Sequence, residues 1–385
     1  MIPYGRQDVS EADIEAVVAV LRSDFLTQGP MVPRFEEALG AIVEAPHVVA
    51  FSSATAALHV ACLALGLGPG DRLWTVPNTF VASANCGLYC GAEVSFVDID
   101  ARTRNISVEA LADALDVAER EDRLPKVLVP VDFAGTSVDL VAIRVLADRY
   151  GFKILEDASH AVGGTYRNRP VGAADLADIA VFSFHPVKIV TTGEGGAATT
   201  RSEELARHMR ILRTHGISRD AADMVGPSEG PWYYEQVQLG FNYRMTDIQA
   251  ALGVSQLQRL PEFVSRRREI AARYHRLLAD LPVIRQYVPS DTGSALHLYV
   301  VELAPDAPID RGEAFRAMRA AGIGVNVHYI PVHLQPFYRA RGFRRGDYPI
   351  AERYYDRALT LPLHPRLTAG EQDHVIGTLS TILGL

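Results

Sequence analysis

The amino-acid sequence predicts an α/β protein whose main element is a mostly parallel sheet with helices on both faces. Short β-rich stretches alternate with helical patterns over the first half of the chain, which is typical of this architecture. A helix-rich stretch over residues 246–281 then ends the alternation, and a smaller α/β pattern follows it. These observations predict one large α/β unit and a second, smaller one.

The individual elements follow from local patterns. The first helix is predicted from Ser10 to about Arg22, because an apolar face follows a serine that can cap it. Six strands are predicted next, at His47–Phe51, Leu73–Val76, Glu93–Val97, Val127–Val131, Lys153–Leu155 and Ile179–Phe184. Helical patterns follow several of these strands, at Ala56–Leu65, Ala82–Tyr89, Leu140–Tyr150 and Glu203–Leu212. The smaller unit is predicted from β-rich stretches and one helix, at Leu296–Glu302, Gly312–Ala321 (the helix) and Gly324–Tyr329.

The length of 385 residues suggests two domains. The change of pattern after the alternating region predicts a large, ligand-binding domain over residues 1–260, including the N-terminal segment, and a small domain over residues 261–385. Between the helices of the large domain, the segment Asp220–Pro231 is rich in Asp, Gly, Pro and Ser. We expect this segment to form a long surface loop, a kind of loop that often has a functional role.

Composition and charge exclude several classes of protein. The net charge of -8 gives no general attraction to nucleic acid or to anionic membranes. No run of about 18 apolar residues is present, and the first residues lack the apolar core of a signal peptide. The three cysteines, Cys62, Cys86 and Cys90, lie in apolar surroundings, so we expect buried free thiols in a cytoplasmic protein rather than a metal site.

Lysine is rare in this chain, whereas arginine is common. Of the 38 basic residues, only Lys126, Lys153 and Lys188 are lysines. Because arginine cannot lose its proton in a protein, chemistry that needs a free amine has three candidates. Lys126 and Lys153 each precede an apolar run and are interpreted as residues at strand edges.

Lys188 has a different setting. It follows the strand Ile179–Phe184 and precedes the glycine-rich segment Thr191–Gly196, at a place where α/β sheets bind ligands. Its neighbours are aromatic and aliphatic, and such surroundings lower the pKa of a lysine and free its amine for imine formation. A solvated surface lysine is the alternative interpretation.

Two further strand ends carry residues that suit pyridoxal 5'-phosphate (PLP), a cofactor that binds a lysine amine. Asp157 ends the strand that begins at Lys153, and PLP needs a carboxylate at its ring nitrogen. A helix N-cap at Ala158 is the alternative for Asp157. The segment Ser52–Leu58 opens a helix whose N–H groups could bind the phosphate, which is compatible with ordinary capping. Phe80, after another strand, could stack on the ring, although a single Phe is usually part of a core.

The order of these segments resembles the DegT/DnrJ/EryC1/StrS family of sugar aminotransferases over essentially the whole chain. The matching segments are Leu26–Pro30, Ser53–Leu58, Thr79–Ala82, Glu156–Ala161, Ser183–His185, Lys188, Thr192–Gly196, Gly240–Asp247 and His328–Tyr329. Each is weak alone, but together and in this order they are specific. The resemblance implies the aspartate aminotransferase-like (type I PLP-dependent transferase) fold and PLP as cofactor.

The same resemblance implies roles for individual residues. Lys188 is similar to the lysine that forms the Schiff base, Asp157 to the partner of the pyridinium nitrogen, and His160 to the neighbour of the PLP hydroxyl. Phosphate contacts are implied for Ala54, Thr55, Ser183 and, from the other subunit of a homodimer, Asn242, and stacking on the ring for Phe80. Contacts with the sugar nucleotide are expected at Tyr4, Leu26, Thr27, Gln28, His328 and Tyr329. A buried core histidine remains the alternative for His328.

One branch of the family is most similar, namely the UDP-4-amino-4,6-dideoxy-N-acetyl-β-L-altrosamine transaminases of pseudaminic acid biosynthesis. The segments that resemble it are Val131–Gly135, His185–Lys188, His215–Ile217, Arg219–Asp220 and Pro231–Glu235. This branch implies transfer of an amino group from L-glutamate to C4 of a UDP-linked 4-keto-6-deoxy-2-acetamido sugar. Another nucleotide-linked keto sugar, with dTDP or GDP as the carrier, remains an alternative.

Three other functions are alternatives to this prediction. PLP-dependent sugar 3-dehydratases share the fold but replace the Schiff-base lysine with histidine, so Lys188 argues against them. A non-catalytic regulatory or nucleotide-binding module is the alternative from another class. A nicotinamide enzyme is disfavoured because no G-x-G-x-x-G motif follows the first strand.

Overall fold

The computed structural model describes all 385 residues, Met1–Leu385. The strands are β1 (His47–Phe51), β2 (Arg72–Thr75), β3 (Glu93–Phe96), β4 (Val127–Val129), β5 (Lys153–Asp157), β6 (Thr165–Tyr166), β7 (Arg169–Pro170), β8 (Ile179–Ser183), β9 (Gly196–Thr200), β10 (Ile217–Ser218), β11 (Glu235–Gln236), β12 (Val283–Arg285), β13 (Thr292–Gly293), β14 (Tyr299–Leu303) and β15 (Ala358–Leu361). The α-helices are α1 (Glu11–Leu21), α2 (Met31–Val43), α3 (Ala54–Ala64), α4 (Ala82–Tyr89), α5 (Val108–Arg120), α6 (Leu140–Tyr150), α7 (Glu203–Arg213), α8 (Asp247–Gln258), α9 (Leu260–Leu277), α10 (Arg311–Ala320), α11 (Pro336–Arg339), α12 (Pro349–Arg357) and α13 (Ala369–Ile382). Two short 3-10 helices lie at Phe133–Gly135 and Val332–Leu334.

A seven-stranded sheet forms the centre of the molecule, in the order β1-β9-β8-β5-β4-β2-β3. Its strands are parallel except β9, which runs antiparallel to both of its neighbours. The register brings several strand ends to one edge, since Asp157 pairs with Val181, and Gly196 pairs with both Ser183 and Phe51. Ligands of open α/β sheets bind at this carboxyl edge.

Successive residues of the central strands enter different apolar cores, as the two-residue period of a strand requires. In β4, for example, Val127 and Val129 pack in a core with α3, α4 and α7, whereas Leu128 packs in a core with α5 and α6. A third core joins α2 and α8 to β1 and β8. Helices therefore cover both faces of the sheet, and the predicted α/β architecture is confirmed.

A second, three-stranded antiparallel sheet has the order β12-β14-β15 and lies in the carboxyl-terminal part of the chain. It shares a core with α10 and α13. Helix α9 joins two cores, because Leu260 and Phe263 pack with the large sheet, whereas Ile270 and Tyr274 pack with the small one. The N-terminal segment also reaches this part of the chain, where Ile2 pairs with Ile323. The division at residue 260 stays a prediction.

The predicted elements agree with the structure in type at most positions, with two kinds of difference. The stretch Gly324–Tyr329, predicted as β-rich, is irregular and makes only an isolated bridge from Asn326 to Thr360, so this prediction is wrong. The elements missing from the prediction include helices α2, α5, α12 and α13 and strands β9 and β15. The expected surface loop Asp220–Pro231 is confirmed, and it lies between the two strands of the small hairpin β10–β11.

Two other expectations concern the cysteines and the hydropathy pattern. All three cysteines are free and buried. None of the helices has both the length and the apolar character needed to cross a membrane.

Candidate active site

A cavity of about 520 Å³ lies at the carboxyl edge of the central sheet. Its walls come from the N-terminal segment, the start of α3, the ends of β5 and β8, and the irregular stretch after α10. The predicted site residues that line it are Tyr4, Ala54, Thr55, Phe80, Asp157, His160, Ser183, Lys188, His328 and Tyr329. Residues from six distant parts of the sequence therefore meet in one place.

Lys188 lies in the loop that follows β8. Its backbone N–H donates to the carbonyl of His185 at 2.8 Å, and the neighbouring Phe184, Ile189 and Val190 are buried in the core. Burial of the amine lowers the pKa of Lys188 to about 8, although the charge of Asp157 raises it. A substantial fraction of the amine is therefore uncharged near neutral pH, as a nucleophilic lysine requires.

Lys126 and Lys153 have ordinary surface roles. The Lys126 amine lies 2.9 Å from the carboxylate of Asp71, and the Lys153 amine lies 3.3 Å from that of Asp178. Both lysines are outside the cavity. Lys188 is the only lysine of the chain that faces it.

Asp157 is the last residue of β5 and is nearly buried, with 5% of its surface exposed. Two donors hold its carboxylate. The backbone N–H of Ser159 donates to Oδ1 at 3.1 Å, and the hydroxyl of Ser83 donates to Oδ2 at 2.6 Å. No helix begins at Ala158, so the alternative interpretation of Asp157 as a helix N-cap is wrong. Its carboxylate faces the cavity instead.

Three buried histidines surround Lys188 in the cavity wall, namely His160, His297 and His328. Burial lowers the pKa of each, and the charge of Lys188 lowers it further. For His328 the pKa falls to about 3. All three rings are therefore neutral at neutral pH.

The two histidines that were predicted have different partners. His160 accepts from the backbone N–H of Ala134 at Nδ1, and its Nε2 lies 3.0 Å from the hydroxyl of Tyr329. His328 Nδ1 lies 2.8 Å from the hydroxyl of Thr360. His328 is thus both a hydrogen-bonded buried histidine and part of the cavity wall.

The N-terminus of α3 forms one end of the cavity. Ser53 caps it by accepting from the N–H of Ala56 at 3.1 Å. The N–H groups of Ala54 and Thr55 belong to the first turn, where a helix offers no internal acceptor. Gly196 packs against this turn so closely that a Cβ atom there would lie 2.4 Å from the Ala54 nitrogen. This close packing presents free N–H groups and the helix dipole to an anion.

Phe80 is exposed over 60% of its surface although it lies in the cavity wall. It lies two residues before α4, and its ring is available to a planar ligand rather than packed in a core. The interpretation of Phe80 as an ordinary core residue is therefore wrong.

Four predicted residues do not line the cavity of their own chain. Leu26, Thr27 and Gln28 are exposed, and the carbonyl of Leu26 accepts from the N–H of Asp247 at the start of α8. Asn242 is exposed as well and forms a bridge with Thr214. Any contact of these residues with a ligand requires a second subunit or a change of conformation.

The cavity also contains residues that were not predicted as site residues, of which Ser83, His297 and Asn326 are examples. No local signal in the sequence marks them. Ser83 lies in a helical pattern of small residues, and His297 lies in a β-rich stretch, so both resemble ordinary core positions.

The residues present fit PLP. A half-buried amine, a nearly buried carboxylate, an exposed aromatic ring and a helix N-terminus with free N–H groups face one cavity. The amine suits the aldehyde of the cofactor, and the carboxylate suits its ring nitrogen. The aromatic ring suits the ring face, and the helix N-terminus suits the phosphate.

Comparisons with known proteins agree with this geometry. The model of the DegT/DnrJ/EryC1/StrS aminotransferase family matches residues 7–380. The chain is 41% identical to the spore coat polysaccharide biosynthesis protein SpsC of Bacillus subtilis, over 99% of this chain and 97% of that protein.

Two solved structures show the same fold over the whole chain. Spr1654 from Streptococcus pneumoniae in its PMP form has a TM-score of 0.91 and 32% identity, and covers 100% of this chain and 99% of its own. Its structure is also known in PLP and apo forms. PseC from Helicobacter pylori, an aminotransferase involved in the biosynthesis of pseudaminic acid, has a TM-score of 0.91 and 30% identity, with coverage of 100% and 99%.

The family match, the shared fold and the PLP and PMP forms of a related structure agree with the donor set of the cavity. The chain therefore belongs to the DegT/DnrJ/EryC1/StrS aminotransferase family and is a PLP-dependent sugar aminotransferase with the aspartate aminotransferase-like fold.

Proposed function

We propose that the chain transfers an amino group from L-glutamate to C4 of UDP-2-acetamido-2,6-dideoxy-β-L-arabino-hex-4-ulose, a step in pseudaminic acid biosynthesis. The observation that carries the aminotransferase reaction is the single cavity in which Lys188, with its lowered pKa, faces Asp157. The likeness to PseC over the whole chain supports the specific sugar, as do the sequence segments that resemble the pseudaminic acid branch.

The residues at the cofactor have distinct tasks. When bound, PLP carries the amino group between the two substrates and withdraws electrons from the carbon that loses a proton. Lys188 holds the cofactor covalently and, once displaced, moves the proton as a general base and acid. Asp157 would hold the proton on the ring nitrogen, His160 would contact the ring hydroxyl, and Phe80 would stack on the ring face.

The phosphate end is held by the first turn of α3. Ala54 and Thr55 supply backbone N–H groups, and Ser183, at the end of β8, supplies a hydroxyl. The family resemblance supports Asn242 as a further phosphate contact from the other subunit of a homodimer, and Asn242 lies outside the cavity of its own chain. Each phosphate contact orients the cofactor, so that the aldehyde meets Lys188.

The substrate end is lined by Tyr4, His328 and Tyr329. Their hydroxyl and imidazole groups suit the oxygens of a sugar nucleotide, and His328 is neutral because burial and the charge of Lys188 lower its pKa to about 3. The exposed turn Leu26–Gln28 contributes to the same ligand across the dimer interface.

The three buried free thiols fit the reducing cytoplasm that the sequence predicts.

The test is product analysis. Purified enzyme with L-glutamate is incubated with a panel of UDP-, dTDP- and GDP-linked keto sugars, and the products are analysed by mass spectrometry and NMR. We expect gain of an amino group at C4 of the UDP-linked 2-acetamido sugar. A clear preference for a dTDP- or GDP-linked sugar, or for one without the acetamido group, contradicts the assigned substrate but not the aminotransferase reaction.

A second candidate acceptor is another nucleotide-linked keto sugar. The 41% identity to SpsC, whose name refers to a spore coat polysaccharide, favours it. The same panel separates the two acceptors.

A simpler experiment tests catalysis itself, because the yellow PLP form should bleach on addition of L-glutamate alone. Loss of the yellow colour excludes a non-catalytic module.

A further inference from the structure

Ser83 forms the shortest side-chain contact of Asp157. It lies in the first turn of α4, it is fully buried, and its hydroxyl oxygen is 2.6 Å from Oδ2 of Asp157. Ser83 also lines the cavity. The contact joins two segments that are 74 residues apart, so the tertiary fold rather than local sequence brings them together.

The direction of the hydrogen bonds follows from the chemistry of the groups. An ionised carboxylate only accepts, so the single hydroxyl proton of Ser83 points to Asp157. The hydroxyl of Thr79, 2.8 Å from Ser83 Oγ, then has to donate to Ser83. Thr79, Ser83 and Asp157 form a chain of hydrogen bonds with one direction, and each bond in such a chain strengthens the next.

The acidic neighbours of Asp157 bear on the role of the Ser83 hydroxyl. Behind Asp157 lie Asp132 and Glu156, both buried, and burial and the charge of Asp157 raise the pKa of both. The Asp157 carboxylate therefore lies beside two buried acidic groups, and the donors that contact it fix its orientation. Ser83 and the N–H of Ser159 supply the two donors.

We propose that Ser83 is a positioning residue, whose hydroxyl orients the Asp157 carboxylate as the partner of the cofactor ring nitrogen. The two fixed donors restrain rotation of the carboxylate and leave its cavity-facing electron pairs to the ring N–H. This role rests on the proposed function of Asp157 and extends it to a residue that touches neither substrate.

The test compares Ser83→Ala, Ser83→Thr and Asp157→Asn as holoenzymes. The readouts are the ¹⁵N NMR shift of ¹⁵N-labelled PLP, which reports protonation of the ring nitrogen, and kcat and KM for L-glutamate. In Ser83→Ala the shift should move toward that of unprotonated pyridine. We expect kcat to fall roughly 10-fold to 100-fold, as for loss of one charge-assisted hydrogen bond. KM should stay within about twofold, because Ser83 does not bind glutamate.

Ser83→Thr keeps the hydroxyl and should restore both the shift and kcat. Thr75→Val is the matched control, since it removes a buried hydroxyl that donates to the Val129 carbonyl at 2.7 Å, outside the cavity. It should lower the melting temperature without moving the ¹⁵N shift.

The outcomes separate the two levels of the proposal. If Asp157→Asn changes the ¹⁵N shift but Ser83→Ala leaves both the shift and kcat unchanged, the role of Ser83 is wrong and that of Asp157 stands. A folded Ser83→Thr variant that behaves like Ser83→Ala also overturns the role of the hydroxyl. If Asp157→Asn itself leaves the shift and kcat unchanged, the proposed function of Asp157 fails.

Discussion

At the scale of single residues, the site is organised by charge. Three neutral histidines and one carboxylate surround a single amine, and burial lowers the pKa of the three histidines and of the amine. The uncharged histidines do not repel the protonated amine of Lys188, whereas the carboxylate of Asp157 attracts it. The amine can thus alternate between its two protonation states near neutral pH, as a proton carrier must.

The lowered pKa of Lys188 predicts the pH dependence of cofactor capture. Only the uncharged amine attacks the PLP aldehyde, so the rate of covalent capture by the apoenzyme should rise with pH, with a midpoint near the pKa of about 8 rather than near 10.5. Stopped-flow absorbance of PLP binding measures this rate. Asp157→Asn should shift the midpoint downward, because the charge of Asp157 raises the pKa of Lys188. A midpoint near that of an ordinary lysine would refute the desolvated setting.

Replacement of the amine itself is the second test at this scale. Lys188→Ala should lose at least about a thousandfold in turnover, since the nucleophile and the proton carrier are both removed. Circular dichroism and the melting temperature should show a folded protein. Lys126→Ala is the control, because Lys126 pairs with Asp71 at the surface. Loss of activity in the control, or wild-type turnover in Lys188→Ala, would make the assignment wrong.

The sequence reveals some of these residues and not others, for a physical reason. Lys188 and Asp157 follow recognisable strands, and an amine or carboxylate at a strand end is uncommon enough to be noticed. Ser83 lies among small residues in a helix, where a hydroxyl usually has no more than a local role. The contact between Ser83 and Asp157 arises because α4 packs against the sheet. No sequence pattern within either segment predicts this packing.

At the scale of elements, the site depends on β9, a strand that the sequence pattern does not indicate. Its residues, Gly-Ala-Ala-Thr-Thr, are small, and glycine and alanine are depleted in strands. All five are buried, with β1 on one side, β8 on the other, and α3 packed nearby. Small size permits this close packing, so the feature that hides β9 from prediction is the one that builds the phosphate end.

The close packing of β9 on α3 can be tested at Gly196. In Gly196→Ala, the new methyl group would lie 2.4 Å from the Ala54 nitrogen and 2.5 Å from the Ser53 carbonyl carbon, so the first turn of α3 must move. We expect a loss of roughly 1–3 kcal/mol in the free energy of unfolding. PLP affinity should fall as well, because the displaced turn carries the phosphate-binding N–H groups. Urea denaturation and fluorescence titration with PLP measure the two effects.

Gly68→Ala is the matched control, since nothing lies within 4 Å of a Cβ atom there. It should change the free energy of unfolding by no more than about 0.5 kcal/mol and leave PLP affinity unchanged. If Gly196→Ala binds PLP as tightly as the wild type, the first turn of α3 does not hold the phosphate.

At the scale of the whole molecule, the surface near Asn242 is incomplete in a single chain. Leu239 is exposed over 81% of its surface and Tyr89 over 55%, and the rings of Tyr89 and Phe241 each pack against His59. Leu26, on the turn against the start of α8, is exposed over 49%. Exposed apolar groups are typical of protein interfaces. In the proposed homodimer, a second copy of the chain would cover them and Asn242 would reach the partner's cavity.

A subunit-exchange experiment tests this arrangement. Inactive Lys188→Ala is mixed with Asn242→Ala, which should bind PLP weakly, and the subunits are allowed to exchange. In a two-fold dimer with Asn242 donated across the interface, the mixed dimer holds one site with both residues intact and one site with neither. Activity should therefore return, to about half of the wild-type value per mixed dimer. Mass spectrometry of intact dimers verifies that mixed dimers have formed. If they form without any gain over the separate variants, Asn242 acts within its own subunit or away from the cofactor, because only donation in trans restores a complete site.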